Sequence, residues 1–468
     1  LQTWFNPLAS ILQFGVIETF SPRIAAGIFA ALSSISIVLI YALSVLSLGH
    51  ERRLNPSGRI MIAALACIGA FSSPMFRSEL GTTFADVLGG SLVLAALVCL
   101  FGNDFRLRGY VLGGLFLGVA VGLKLTNAFY FIGWIAALLV VEQRNSLRPI
   151  FLTSLCAFAT YIPTGGMWAV HIAIETGNPL FPAYNHLFQS PLYPPLPMLD
   201  HRFRIDGFAD GLRYLYEWPL GKHPSAEVVF VDIRFTLLIA LLAIVGSVGL
   251  FVWLRNEGKD EPARTVTLFD PKCQRFLTMF VAVAFVVWIK LFGIQRYAVG
   301  LEQIAPLLII MLLSRLIPGR WAFAVGATVA VATIAILSQR ADWGRATFTS
   351  DWFEVRVPSA LEGGGVLFVM LTGAPMSYVI PYLSETDRFV RIEGNMPIAL
   401  ETGLGDRVAD NIAAHTGPIR TLSPADAPLE ESAGSLAAYG LIVDLSECVD
   451  IGTKAGLLQS CRLRRIGK

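Results

Sequence analysis

Ten apolar runs divide the chain, near 24–47, 59–73, 82–101, 109–122, 126–141, 149–172, 233–254, 275–292, 298–316 and 320–338. Their length predicts ten membrane-spanning helices, although several fall short of the ~20 residues that a perpendicular span needs. Polar residues collect between the runs and in three longer pieces, 1–22, about 173–232 and about 339–468.

The basic residues sort these pieces by side. Five connections carry Arg52, Arg53 and Arg59; Arg106 and Arg108; Arg144 and Arg148; Arg255, Lys259, Arg264, Lys272 and Arg275; and Arg315 with Arg320. The short connections of the other set hold Arg23, Arg77, Lys124 and Arg296, so the split is 14 to 4. By the positive-inside rule the first set is cytoplasmic, and both ends of the chain, with the three longer pieces, lie outside. Composition agrees: 54% of residues are hydrophobic and 15% charged, well below the charged share of a soluble domain. The formal charge of +2 adds little. Leu1 is not an initiator methionine, and we expect further residues upstream, including another span.

The fold class expected is therefore an α-helical polytopic membrane protein, residues 1–338, followed by an exterior α/β domain, residues 339–468. In that tail, strand-like Val366 to Met370 and Tyr439 to Val443 alternate with helix-like stretches such as Gly405 to His415. Gly363, Gly364 and Gly365 precede a strand rather than follow one, so they read as a linker and not as a dinucleotide loop. Thr372 to Pro375 is a better placed loop, with a plain strand-to-helix turn as its rival. Cys448 and Cys461 both fall in the exterior tail, where an oxidising compartment permits a disulfide. Cys67, Cys99, Cys156 and Cys273 read as packing residues.

The loop over 173–232 contains Thr176 to Pro182, then Tyr184 and Asn185, then a proline-dense stretch from Pro191 to Pro197 that forbids regular helix. Phe208 to Trp218 has the pattern of a short amphipathic helix, and Glu227 to Arg234 stands at the mouth of the next span as an interfacial anchor.

Polar residues inside apolar runs carry the candidate chemistry. As one helix, Arg77 to Asp86 would place Glu79, Thr82, Thr83 and Asp86 on a single face rising ~10 Å. An acid at Glu79 also suits a first helical turn, whereas Asp86 two turns deeper marks a polar site by its cost in lipid. Lys124 interrupts an exterior turn, either as a snorkelling side chain or as an anion ligand. Gly114, Gly118 and Gly122 form a stripe that lets helices approach. Arg296 is suited to gripping a phosphate, with an ion pair to Glu302 as its rival. No H-E-x-x-H, P-loop or G-x-S-x-G motif occurs, and His171, His186, His201 and His223 do not have metal-site spacing. No metal site is expected.

Trp4-Phe5-Asn6-Pro7, the Glu79 to Asp86 stretch, Gly122-Leu123-Lys124-Leu125-Thr126, the Thr176 to Pro182 loop and Arg296-Tyr297 together resemble the polytopic glycosyltransferases of the GT-C class. That class includes polyprenyl-phosphate-mannose and aminoarabinose transferases. The resemblance implies an inverting transfer of sugar from a polyprenyl-phosphate carrier to an acceptor at the exterior face. It also implies an acidic base in the first exterior loop. Residues 1–22 hold one acid, Glu18, placed beyond the Asn-Pro segment, so the principal base is expected upstream of Leu1. Asp86 and Glu79 are then auxiliary catalytic residues, Arg296 and Lys124 hold the donor phosphate, and Asn178, Tyr184 and Asn185 belong to the loop over the site. The tail would help select the acceptor, so deleting 345–468 is expected to alter acceptor use before donor binding.

The partners implied are membrane lipid, a lipid-linked sugar and a glycan, lipid or protein acceptor, with no nucleic acid. No cofactor is implied beyond the polyprenyl-phosphate sugar, which is substrate, and a divalent metal is left open. The rivals are a lipid-linked polysaccharide polymerase or ligase, a secondary transporter, for which the duplicated halves are lacking, and a noncatalytic envelope assembly protein. A bacterial inner membrane with the tail in the periplasm is the expected location.

Overall fold

The structure is a computed structural model that describes residues 4–49, 55–198, 201–203, 205, 207–222, 225, 227–255, 268–394 and 400–467. Arg52, Arg53, Lys259, Arg264 and His223 lie outside the described residues.

The chain opens with α1 (Leu8–Thr19), α2 (Pro22–Leu46) and α3 (Pro56–Phe71). A short helix, α4 (Pro74–Glu79), and a turn lead into α5 (Asp86–Gly102), α6 (Leu107–Leu123), α7 (Ala128–Glu142) and α8 (Leu147–Tyr161). One π-helical turn, Ile162–Gly166, carries α8 into α9 (Met167–Thr176). The long loop holds α10 (Asn185–Phe188) and α11 (Phe208–Glu217), and the helical part ends with α12 (Arg234–Arg255), α13 (Pro271–Leu291), α14 (Val299–Leu316) and α15 (Arg320–Leu337).

All ten apolar runs form helix, but seven stretches among the described residues are long and apolar enough to cross a membrane. The runs at α3, α5 and α6 give helices of only 16, 17 and 17 residues. Starts are set by proline at the first turn after a capping side chain, as where Asn55 accepts from the Gly58 amide at 2.9 Å. Asp270 likewise accepts from the Lys272 and Cys273 amides at 2.8 and 3.0 Å.

At the centre stands α14, buried at every position from Val299 to Leu312 and surrounded by α3, α5, α12, α13 and α15. A helix apolar all round belongs in the middle of a bundle. Peripheral helices expose apolar faces instead, such as Phe151, Leu155 and Phe158 of α8 and Val325 and Val329 of α15. In water those faces would be a liability; in lipid they need no cover.

The tail forms a five-stranded sheet of β1 (Leu367–Met370), β2 (Arg388–Arg391), β3 (Ile419–Pro424), β4 (Leu441–Ile451) and β5 (Leu458–Arg465), in spatial order β2-β1-β3-β5-β4. Strand β1 is parallel to both its neighbours, while β5 is antiparallel to β3 and β4. Alternate residues of β1 feed opposite cores: Leu367 and Val369 join α16 (Gly403–Ala414) and α17 (Ala433–Ala438), and Phe368 and Met370 pack with Met376, Val379 and Leu422. Strand β4 outruns its apolar start at 441–443 because β5 pairs with it as far as Ile451.

Among the described residues, backbone hydrogen bonds join tail and helical part at two seams. The amides of Gly403 and Leu404 donate to the Pro191 and Leu192 carbonyls at 3.0 and 3.3 Å. Gln339, just past α15, exchanges backbone bonds with Val231.

Candidate functional site

The acidic stretch is not one helix. Ser73 caps α4 by accepting from the Phe76 amide at 3.2 Å, α4 stops at Glu79, and a turn runs to Asp86, where α5 begins. Gly81 makes the break: its φ is +76°, and an added Cβ would lie 3.1 Å from the Ala26 carbonyl. The single polar face expected of Glu79, Thr82, Thr83 and Asp86 is therefore overturned. Asp86 occupies the first turn of α5, where the partial positive charge of the helix N-terminus favours a carboxylate. Glu79, at the C-terminal end of its short helix, has no such support.

The turn brings Asp86 to two cations. Lys124, held in extended backbone where α6 ends, places Nζ 2.5 Å from Asp86 Oδ1. Arg296, in the 3-10 turn Gln295–Ala298 before α14, places Nη1 3.4 Å from Asp86 Oδ2, while its Nη2 donates to Glu227 Oε1 at 3.0 Å. Aromatic faces complete the setting. Lys124 Nζ sits 4.2 Å from the Tyr297 ring centre, and the Arg296 guanidinium lies 4.9 and 5.5 Å from those of Tyr297 and Phe84. Lys124 is thus an ion-pair partner rather than a free snorkelling chain. Arg296 pairs with Asp86 and Glu227 and not with Glu302, the rival pairing considered from sequence.

Glu79 is 1% exposed, within electrostatic reach of Asp86, Lys124 and Arg296, and neither of its oxygens has a hydrogen-bond partner among the described residues. Glu302 is the reverse, fully buried and fully engaged. It accepts from Gln295 Nε2 at 2.6 Å, from the Met75 amide at 3.3 Å and from the Ser73 hydroxyl. Beside it Arg234, also fully buried, donates to Asp232 at 2.8 Å and to the Glu302 carbonyl at 3.0 Å. Sequence reasoning left Glu227, Asp232 and Arg234 as an interfacial anchor and missed this network; charged side chains at the mouth of a span were the signal available.

Asn178 and Asn185, both fully buried, spend their amides within their own loop. Asn178 Nδ2 donates to the Ala183 carbonyl at 3.0 Å, and Asn185 Nδ2 donates to those of Ser190 and Tyr193 at 3.0 and 2.7 Å. Tyr184, at φ +54°, donates its amide to the Pro197 carbonyl at 3.1 Å. These three residues hold the loop's shape. The N-terminal segment is drawn in by Asn6, whose Nδ2 donates to the carbonyls of Gly122 and Thr164, both at 2.6 Å, and by Trp4, whose ring meets Phe181 edge-on at 4.9 Å.

In the tail, Cys448 and Cys461 are joined in a disulfide, and Cys67, Cys99, Cys156 and Cys273 are free. Among the described residues no group of three or more His, Cys, Asp or Glu is arranged to hold a metal.

Comparison with curated proteins and with solved structures finds no match for this chain. A family model does match, over a region that includes Asn6, Glu79, Asp86 and Lys124 and stops before Glu227 and Arg296. Residues 4–174 match the model of glycosyltransferase family 87, and together with helices of spanning length this supports an integral membrane glycosyltransferase, consistent with the GT-C class.

Proposed function

We propose that the protein transfers a sugar from a polyprenyl-phosphate carrier to an acceptor hydroxyl at the exterior face of the membrane, with inversion. The observation that carries this reading is the convergence of Lys124 and Arg296 on Asp86, at helix ends that the basic-residue count assigns to the exterior. An acceptor oxygen attacks the anomeric carbon, the bond from that carbon to the carrier phosphate oxygen breaks, and the departing phosphate gains negative charge. Two cations aimed at that oxygen offset the charge as it develops.

The acceptor proton passes to a carboxylate. Asp86, shared by two cations, is suited to aiming them rather than to taking a proton. Glu79, with no partner on either oxygen among the described residues, is the better placed auxiliary to meet an acceptor hydroxyl. A bacterial inner membrane, with the sheet domain in the periplasm, is the matching location.

The test uses the natural full-length protein in vesicles with a polyprenyl-phosphate sugar. Arg296→Ala is expected to lower kcat/KM for the donor by about 10²–10³. Transfer unchanged in a correctly folded Arg296→Ala protein overturns the assignment, and solute uptake without sugar transfer favours a transporter.

A further inference from the structure

Glu302 is set apart by where its bonds go. It lies in the first turn of α14, sealed from both lipid and water, and three donors converge on its two oxygens. Oε2 receives the Ser73 hydroxyl and the Met75 amide, which form the start of α4. Oε1 receives Gln295 Nε2, and Gln295 directly precedes Arg296. The helix that ends in Glu79 and the turn that carries Arg296 are therefore tied to one carboxylate.

We propose that Glu302 is a positioning residue that brackets the two halves of the site, setting the distance between the carboxylates of the Glu79–Asp86 turn and the cation at Arg296. This rests on the phosphate-binding reading of Arg296 given above. A buried carboxylate in a membrane bundle is costly and by default marks a polar site. Here both struts end on it. The Gln295 strut is fixed a second time from outside: its amide donates to the Ser225 carbonyl at 2.6 Å, and Ser225 Oγ accepts from Trp218 Nε1 at 2.9 Å. Arg234 holds the other side of Glu302, through its backbone carbonyl, at 3.0 Å. Glu302 makes no hydrogen bond to Asp86 or Lys124 among the described residues and acts through the elements it holds.

The geometry also predicts which replacement works. Glu302→Leu loses all three bonds. Glu302→Gln keeps one oxygen for Ser73 and Met75 and turns its new amide toward Gln295, whose Oε1 has no partner among the described residues and accepts after a flip.

The experiment compares Glu302→Leu, Glu302→Gln and Gln295→Leu in the full-length protein, with Arg296→Ala measured alongside. Kinetics are taken separately in donor and acceptor, and elution in detergent reports folding. Glu302→Leu is expected to raise the donor KM by about ten- to a hundredfold and, because it also frees the helix that ends in Glu79, to disturb acceptor use, with Glu302→Gln regaining most of both losses. Gln295→Leu should reproduce the donor defect, and the double variant that combines Glu302→Leu with Gln295→Leu should be no worse than either alone. If Glu302→Leu fails to fold, Gln295→Leu carries the same test. The bracket is overturned by an unchanged donor KM in folded Gln295→Leu, by additive defects, or by Glu302→Gln as poor as Glu302→Leu. An Arg296→Ala protein with normal donor use overturns the phosphate reading instead.

Discussion

Lys124 Nζ and Asp86 Oδ1 meet at 2.5 Å across 38 positions of sequence, joining the end of α6 to the start of α5. Asp86 is 2% exposed, whereas the Lys124 and Arg296 side chains that share it keep 24% and 18% of theirs. The anion is sealed and the cations face a more open space. With Asp86 aiming them from the buried side, the open faces of Lys124 and Arg296 are where the proposed donor phosphate would approach.

Replacing Asp86 by Asn should cost about 1–3 kcal/mol of stability, below the figure for a fully buried pair because the cations remain partly solvated. The apparent unfolding midpoint in detergent measures it. In a cycle with Lys124→Met the two losses should be markedly less than additive, and simple additivity would mean that the contact is not energetically coupled.

The glycine stripe makes a sharper stability prediction. A Cβ at Gly118 would lie 2.0 Å from the Ala157 carbonyl oxygen and 2.2 Å from Thr160 Oγ1, and one at Gly122 would lie 1.9 Å from Thr164 Oγ1. Gly118→Ala should thus force α6 and α8 apart and cost about 1–3 kcal/mol. Gly246→Ala in α12, where a Cβ meets nothing within 4 Å, should instead raise stability by about 0.5–1 kcal/mol. Opposite shifts of the unfolding midpoint would bear this out, and equal shifts would refute it.

Hydrophobic runs announced the helices and strand β1 of the tail because lipid and core burial both demand unbroken apolar sequence. The stripe at Gly114, Gly118 and Gly122 was equally legible, since only small residues admit such an approach. What sequence hid was local. Gly81 ends one helix before Asp86 starts the next, and neighbouring polar residues gave no sign that the 3.6-residue period failed there. Pairings across long separations were also hidden: Glu302 stands close to Arg296 in sequence, yet bonds to Ser73 and Met75 while Arg296 reaches back to Asp86. Proximity in sequence suggested the wrong ion pair, and only the packing of α14 against α3 and α5 decides it.

The root of the tail reaches the same turn. Arg345 Nη2 donates to the carbonyls of Ser78 and Leu80, both at 2.7 Å, and the Trp343 ring lies 5.0 Å from that of Phe84, which in turn faces Arg296. Arg345→Ala should raise the donor KM by about fivefold or more, in line with loss of a charge-assisted hydrogen bond. A deletion starting at 345 removes this strap with the sheet. Donor and acceptor effects should separate only when the cut falls after it, for example at Gly363. A donor KM unchanged by Arg345→Ala would confine the tail's influence to the acceptor.

The tail's disulfide offers a test of sidedness. Cys448 and Cys461 are register partners on β4 and β5, bonded across 13 positions beside the shift in pairing between Asp444 and Cys448. Arg420 reaches the same stretch, donating to the Glu447 carbonyl at 2.8 Å, so the bond closes a segment that side chains already pin. In protein taken from cells and denatured without reductant, Cys448 and Cys461 should resist alkylation, and both should be alkylated after reduction. Alkylation of both before reduction would place the tail in a reducing compartment and reverse the sidedness read from the basic residues. With the bond present, Cys448→Ser should loosen the β4–β5 hairpin by about 1–3 kcal/mol, seen as faster amide exchange in 441–465 with α14 unaffected.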